Sequence, residues 1–227
     1  MTTRIAVLLV LVLVFLPGCA LLEAPTPAPQ TGPFPYHSLA EAPAPLRRVV
    51  MLPLDAESCP APHRLLVERS LQRAIAARNL FEILPVDERD VADTHIVSTR
   101  STGTYHTDDL ILLSRRFGAE GVLHGVITQF QAYPQVVIGL RLTLLDCRNG
   151  RVPWATDILL DASNRVIEQD VHNYYDTRLR DQGSLMDYEQ VLISPRYFAD
   201  YGADRVSGTL AKALLPRNEI EASNTRR

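Results

Sequence analysis

Apolar residues fall along this chain in three rhythms. From Ile5 to Leu16 they run without interruption for twelve residues. A membrane-spanning helix needs about twenty apolar residues, so this run has the size of a signal-peptide core instead. From residue 47 onward, short apolar blocks alternate with helical spacing. Arg47 to Leu54, with basic entry residues, reads as a buried strand whose pairing stops near Pro53. Val67, Leu71, Ala74 and Ile75 then recur on one helical face, with Arg64, Glu68, Arg69 and Arg73 outward. Pro62 suits the first turn of that helix and Asn79 its C-terminal cap. Phe81 to Val86 reads as a second strand, and Asp87 to Asp93 as a short helical turn. Thr107 is positioned to cap a helix through Leu110, Leu113 and Phe117, with Asp108 and Asp109 at its positive end and Gly118 closing it. Ala119 to Phe130 is a third strand.

The third rhythm has period two. Val136, Ile138, Leu140, Leu142 and Leu144 share one face of a long strand that follows Tyr133-Pro134. Asn149-Gly150 is a hairpin signal, because both residues accept positive φ, and Val152 to Leu160 returns as a fifth strand carrying Trp154. Ser163 then offers a cap for a helix through Val166, Ile167, Val171, Tyr174 and Leu179. Asp181 to Glu189 is a polar loop. Ser194-Pro195 opens a last helix through Phe198, Tyr201, Val206, Leu210 and Leu214, which Gly202 and Gly208 weaken. The order strand–helix–strand–helix–strand, a hairpin, then helices predicts an α/β fold. Its mixed sheet has about five strands in two or three layers with flanking helices.

Composition divides the chain further. Residues 20–46 hold seven prolines, which fix φ and remove backbone donors, so this stretch reads as a semi-extended tether. The expected organisation is a leader at 1–18, a tether at 19–46, a folded body at 47–216 and a disordered tail at 217–227. The leader carries Arg4 and no acid, so its removal moves the net charge from −3 to −4. A mildly acidic chain of this kind is no candidate for nucleic-acid binding, which needs a basic face. Lys212 is the only lysine among 23 basic residues.

Leu16-Pro17-Gly18-Cys19 closes the N-terminal apolar run. It resembles the lipobox of bacterial lipoproteins, Leu-x-(Gly/Ala)-Cys. The resemblance implies a thioether-linked diacylglycerol on Cys19, cleavage between Gly18 and Cys19, and acylation (palmitate or a similar chain) of the new amine. Two or more acyl chains anchor a protein stably. Ala20, rather than an acid, follows the cysteine. In enteric-type bacteria that pattern resembles outer-membrane sorting, which implies a periplasmic-facing lipid anchor. The two remaining cysteines, Cys59 and Cys147, form a candidate disulfide in such a compartment. The topology argues against the pair, because Cys59 follows the end of the first strand while Cys147 lies near its start.

Gly118-Ala119-Glu120-Gly121-Val122-Leu123-His124-Gly125-Val126-Ile127-Thr128, the long strand, Leu144-Leu145-Asp146-Cys147-Arg148-Asn149-Gly150 and Trp154 together resemble one superfamily. It includes the curli secretion lipoprotein, the B-type lipoprotein activators of penicillin-binding proteins, and the amino-terminal domain of the Tol translocation protein. The resemblance covers about residues 47–160. It implies a periplasmic domain that works by binding other envelope proteins, in cell-wall synthesis, assembly or export. A homo-oligomeric ring is a second expectation. A pore is not, since membrane strands need about 9–11 residues and the turn at 131–135 leaves no room for them.

No Gly-rich phosphate loop, nucleophile elbow or His-Glu-x-x-His motif is present, and the six histidines show no metal spacing. The expectation is therefore a non-enzyme without cofactor or metal, with an envelope hydrolase as the remaining alternative. His124 reads as a satisfied strand residue. Tyr174-Tyr175 and Tyr197-Phe198 with Tyr201 read first as helix-packing residues. Leu185, Met186 and Tyr188 stand in an otherwise polar loop and are candidates for partner contact.

Overall fold

The computed structural model describes residues 33–39, 44–56, 58–92, 106–180 and 187–215. The strands are β1 (Tyr36–Ser38), β2 (Arg48–Met51), β3 (Glu82–Pro85), β4 (Gly121–Gln131), β5 (Val137–Asp146) and β6 (Trp154–Asp161). The helices are α1 (Ala61–Ala76), α2 (Glu88–Ala92), α3 (Thr107–Phe117), α4 (Arg165–Tyr174), α5 (Tyr188–Ile193) and α6 (Pro195–Leu214). A π-helical turn, Tyr175–Leu179, extends α4.

All six strands form one mixed sheet in the order β1-β6-β5-β4-β2-β3. β2 pairs in parallel with both β3 and β4, and the β4–β5, β5–β6 and β1–β6 pairs are antiparallel. The α/β class is as expected, with one strand more than the five anticipated. The additional strand, β1, lies inside the stretch read as tether. Pro33 and Pro35 precede it, but Tyr36, His37 and Ser38 keep their donors and pair with Thr156, Ala155 and Trp154. The Thr156 hydroxyl also donates to the Pro35 carbonyl at 2.6 Å. A three-residue edge strand behind two prolines offers little for an unrelated chain to pair with.

The two faces of the sheet are covered unequally. One face buries Met51, Leu123, Leu140, Leu142, Trp154 and Leu160 beneath α1, α4, α5 and α6. The other buries a smaller set, Val50, Leu52 and Val122, beneath Val91 of α2 and Leu113 of α3. That second cover stops short of β5 and β6, where Arg141 pairs with Asp157 in the open at 2.8 Å and Leu159 is exposed. The body thus has three layers at one end and two at the other.

Local signals were partly rewired. Asn164, not Ser163, caps α4: its side chain accepts from the Val166 amide at 2.9 Å. Ser163 is held instead by Asp161, which accepts from both its amide and its hydroxyl. His106 takes the N-cap of α3 without a side-chain bond, so Thr107 falls inside the helix. Helix α5 begins within the loop expected at 181–189, because the Asp187 carboxylate accepts from the Tyr188 amide and opens a turn. Asn79 and Gly118 adopt the left-handed conformation expected after α1 and α3. In the β5–β6 connection only Gly150 does, since the turn is longer than a two-residue hairpin loop.

Gly202 explains itself by packing. A Cβ there would lie 2.4 Å from Leu160 Cδ1, so the missing side chain lets α6 sit directly on β6. Among the described residues no helix is long and apolar enough to cross a membrane.

Candidate functional site

Among the described residues a polar site lies where α6, the α4 extension, the end of α1 and the lead into β1 converge. It is a groove of about 440 Å³. Asp204, Arg205, Gly208, Thr209 and Lys212 come from α6, spaced so that Asp204, Gly208 and Lys212 fall one turn apart on one face. Asp170 and Arg178 come from α4 and its π-helical extension, and Arg78 from just beyond α1. Pro33, Phe34 and Tyr36 close the groove with an apolar and aromatic wall.

The inner part of the groove is an ordered ion network. Arg205 donates through Nε to Asp170 Oδ2 at 2.6 Å and through Nη2 to the Asp170 carbonyl at 3.2 Å. Its guanidinium lies 5.5 Å from the ring centres of both Tyr174 and Tyr201, a distance at which the ring faces attract it. The Tyr201 hydroxyl donates to the same Asp170 oxygen at 2.8 Å. Arg78 donates to the Asp204 carboxylate and carbonyl, both at 3.0 Å, and to the Ser207 hydroxyl at 3.1 Å. Thr209 accepts from the Trp154 indole at 3.2 Å, which ties the floor to the buried sheet.

The outer part is not spent in this way. Arg178 touches Asp204 only at 3.8 Å, and Lys212 is exposed with no ion pair among the described residues. Four cations therefore line the groove against two carboxylates, in a chain whose net charge is −3. Burial, followed by the nearby Asp204 and Asp200, pushes the Tyr174 hydroxyl up to about 12. Burial and the bond to Asp170 raise Tyr201 as well. Both remain protonated at neutral pH, and the Tyr201 hydroxyl serves as a donor to Asp170. A larger depression of about 840 Å³ follows Pro62, Leu65 and Leu66 along α1. Arg69, Gln72, Arg73 and Arg196 also line it, with no carboxylate among them, and Arg73 is held by Asp200 at 2.7 Å.

The residues singled out from sequence are dispersed. Gly18, Cys19, Leu185 and Met186 lie outside the described residues. Tyr188 is half-buried at the start of α5, its ring 4.9 Å from that of His172. Cys59 and Cys147 are free thiols. They pack against opposite faces of the sheet, Cys59 beneath the larger helical layer and Cys147 beneath the smaller, so the candidate disulfide does not form. Burial pushes the Cys147 thiol up to about 11. His124 is buried within β4, and desolvation lowers it to about 4 against the opposing pull of Asp55. Phe198 and Tyr201 are core residues of α6. Among the described residues no group of His, Cys, Asp and Glu has metal-site geometry.

The motif residue Asp146 proves to be a structural clamp. Its side chain, 2 % exposed, accepts from the Arg148 amide, Nε and Nη2 and from Asn149 Nδ2. Arg148 then donates to the Ala44 and Pro45 carbonyls, fastening the chain that leads into β2. Burial raises the Asp146 carboxyl, but the Arg148 hydrogen bonds outweigh it and hold the group below its ordinary range.

No family model matches this sequence, and no curated protein matches it. Solved structures do. The chain is similar to the PelC dodecamer from Paraburkholderia phytofirmans at 14 % identity, covering 59 % of this chain and 85 % of that one, with a TM-score of 0.41. It is similar to the lipoprotein GNA1162 from Neisseria meningitidis at 16 % identity, covering 61 % and 99 %, with a TM-score of 0.38. The C-terminal domain of LpoB from Escherichia coli matches at 14 % identity, covering 54 % and 88 %, with a TM-score of 0.35. TolB from Acinetobacter baumannii is also among the matches.

Proposed function

We propose that this chain is a lipoprotein, anchored through Cys19 to the periplasmic face of the outer membrane. There it serves as a non-catalytic binding component of an envelope machine, in wall synthesis, assembly or export. The observation that carries the reading is Leu16-Pro17-Gly18-Cys19 at the close of a short apolar run, followed by a proline-rich tether. With β1 beginning at Tyr36, the free tether is shorter than composition alone implied. As a polyproline II chain, residues 19–32 would span about 43 Å, at about 3.1 Å per residue. The groove supports binding over turnover. Its inner guanidinia are fixed by carboxylates beside an apolar and aromatic wall, an arrangement suited to recognition by charge and shape.

Two measurements test this. Mass analysis of the chain from native membranes should show cleavage before Cys19 and a triacylated terminus, and Cys19→Ser should release the protein from the membrane fraction. An intact or unacylated terminus overturns the anchor. Crosslinking in intact cells should then recover a specific envelope protein. Recovery of copies of this chain alone, in a closed assembly by sizing, would favour the ring instead.

A further inference from the structure

The groove holds two kinds of cation, and the difference defines what it can take. Arg78 and Arg205 have their donors committed to Asp204, Asp170 and Ser207. Arg178 and Lys212 do not, and both line the same cavity. We infer that the groove is a binding site for an acidic peptide segment, in which one carboxylate bridges Arg178 and Lys212 while a neighbouring apolar side chain lies against Phe34 and Pro33. This rests on the binding-protein reading above and names the chemistry of what is bound.

Three features select that ligand. The surplus of positive charge attracts an anion, and a guanidinium fork beside an ammonium suits a planar carboxylate. Asp204 lies 3.8 Å from Arg178 and Asp170 lines the same groove, so a dianion such as phosphate meets more repulsion than a single carboxylate does. The Pro33–Phe34–Tyr36 wall offers apolar and aromatic surface that a small inorganic anion leaves uncovered. At about 440 Å³ the cavity falls within the range of sites that hold small organic ligands, and so accommodates the end or side of a peptide.

The wall also explains why the site lies here. Phe34 reaches into the helical layer, its ring 6.3 Å from that of Tyr201 and at a steep angle to it. The groove is therefore built partly by the chain that arrives from the tether, so a ligand seated in it contacts the folded body at the tether's point of attachment.

The sole lysine makes the test direct. The full-length chain, in detergent, is treated with formaldehyde and borohydride, and dimethylation of Lys212 is followed by peptide mass analysis. The tripeptide Ac-Leu-Phe-Glu-NH2 should slow that modification. Its glutamine counterpart and Ac-Gly-Gly-Glu-NH2 should need about tenfold higher concentration for the same protection, the scale of one charge-assisted hydrogen bond. Arg178→Gln should weaken protection about tenfold while leaving the melting temperature unchanged. Equal protection by the glutamine peptide, stronger protection by inorganic phosphate, or no protection by any probe overturns the inference. So does a Lys212 that resists modification with no probe present, because the groove is then covered by the chain itself. None of these results touches the lipid analysis or the cellular crosslinking, so the anchored-protein reading stands or falls separately.

Discussion

Two arginine–carboxylate clusters sit in this fold and behave oppositely. At the β5–β6 turn, the single buried carboxylate of Asp146 takes four hydrogen bonds, and Arg148 spends its remaining donors on backbone carbonyls. Four of the five guanidinium donors of Arg148 are bonded within the protein, so little is left to offer a ligand. In the groove between α6 and the lead into β1, two carboxylates face four cations, and two of those cations make no close pair. A cluster whose bookkeeping closes is holding the fold, whereas one with a surplus has capacity to bind.

The largest effect is expected at the balanced cluster. Asp146→Ala removes four acceptor contacts at about 1 kcal/mol each, so we expect a loss of about 4 kcal/mol in unfolding free energy. Chemical denaturation should show it, with a fall in melting temperature of about 8–16 °C for a domain of this size. A loss below about 1 kcal/mol would mean that the clamp is ornamental and that the contrast between the two clusters is wrong.

His124 separates the clamp's acid response from that of the rest of the sheet. Its folded-state pKa is lowered to about 4 from 6.5 by desolvation, so the unfolded chain binds the proton more readily. Stability from this group is fully present above about pH 6.5 and is lost progressively as pH falls toward 4, by about 3 kcal/mol in all. His124→Gln should flatten that slope. The Asp146 carboxyl is lowered instead, so its contribution is present above its unfolded value near 3.8 and is lost only as pH falls below it. A wild-type curve that is flat between pH 6.5 and 4.5 counts against the buried, neutral histidine.

The sequence revealed these two clusters to different degrees. The βαβαβ order, the long apolar strand and the glycine turn were readable, because period and φ preference are local properties. Asp146 and Gly150 belong to a local motif, so that cluster was visible as a pattern even though its clamp role was not. The groove was not visible at all. Arg78, Asp170, Arg178 and Lys212 are separated by up to 134 positions and are brought together only by the packing of α1, α4 and α6 on one face of the sheet. The one available hint was that the chain's single lysine falls one turn beyond Gly208, on the same face as Asp204. β1 was missed because proline density masked three residues able to pair. The cysteine pair was judged from strand direction alone, whereas the face to which each thiol packs decides it.

Within the groove, Asp170 belongs to the committed half. Asp170→Asn leaves Arg205 and the Tyr201 hydroxyl with a neutral acceptor, in a site whose side chains are only about one-quarter exposed. We expect a loss of about 1–2 kcal/mol, smaller than at Asp146 because Arg205 keeps its contact with Asp204 and its two tyrosine rings. A loss matching that of Asp146→Ala would make the groove a second structural clamp.

The smallest effect is the most informative. Arg178 makes one ion pair at 3.8 Å and is about half-exposed, a setting in which pairs are worth little. Arg178→Gln should therefore change unfolding free energy by less than about 0.5 kcal/mol. If it costs 2 kcal/mol or more, its charge is spent on the fold, the groove's surplus shrinks to Lys212 alone, and the two clusters differ only in size. If the cost is negligible while Lys212 loses its protection by the acidic peptide, a charge that the fold does not use is serving a ligand.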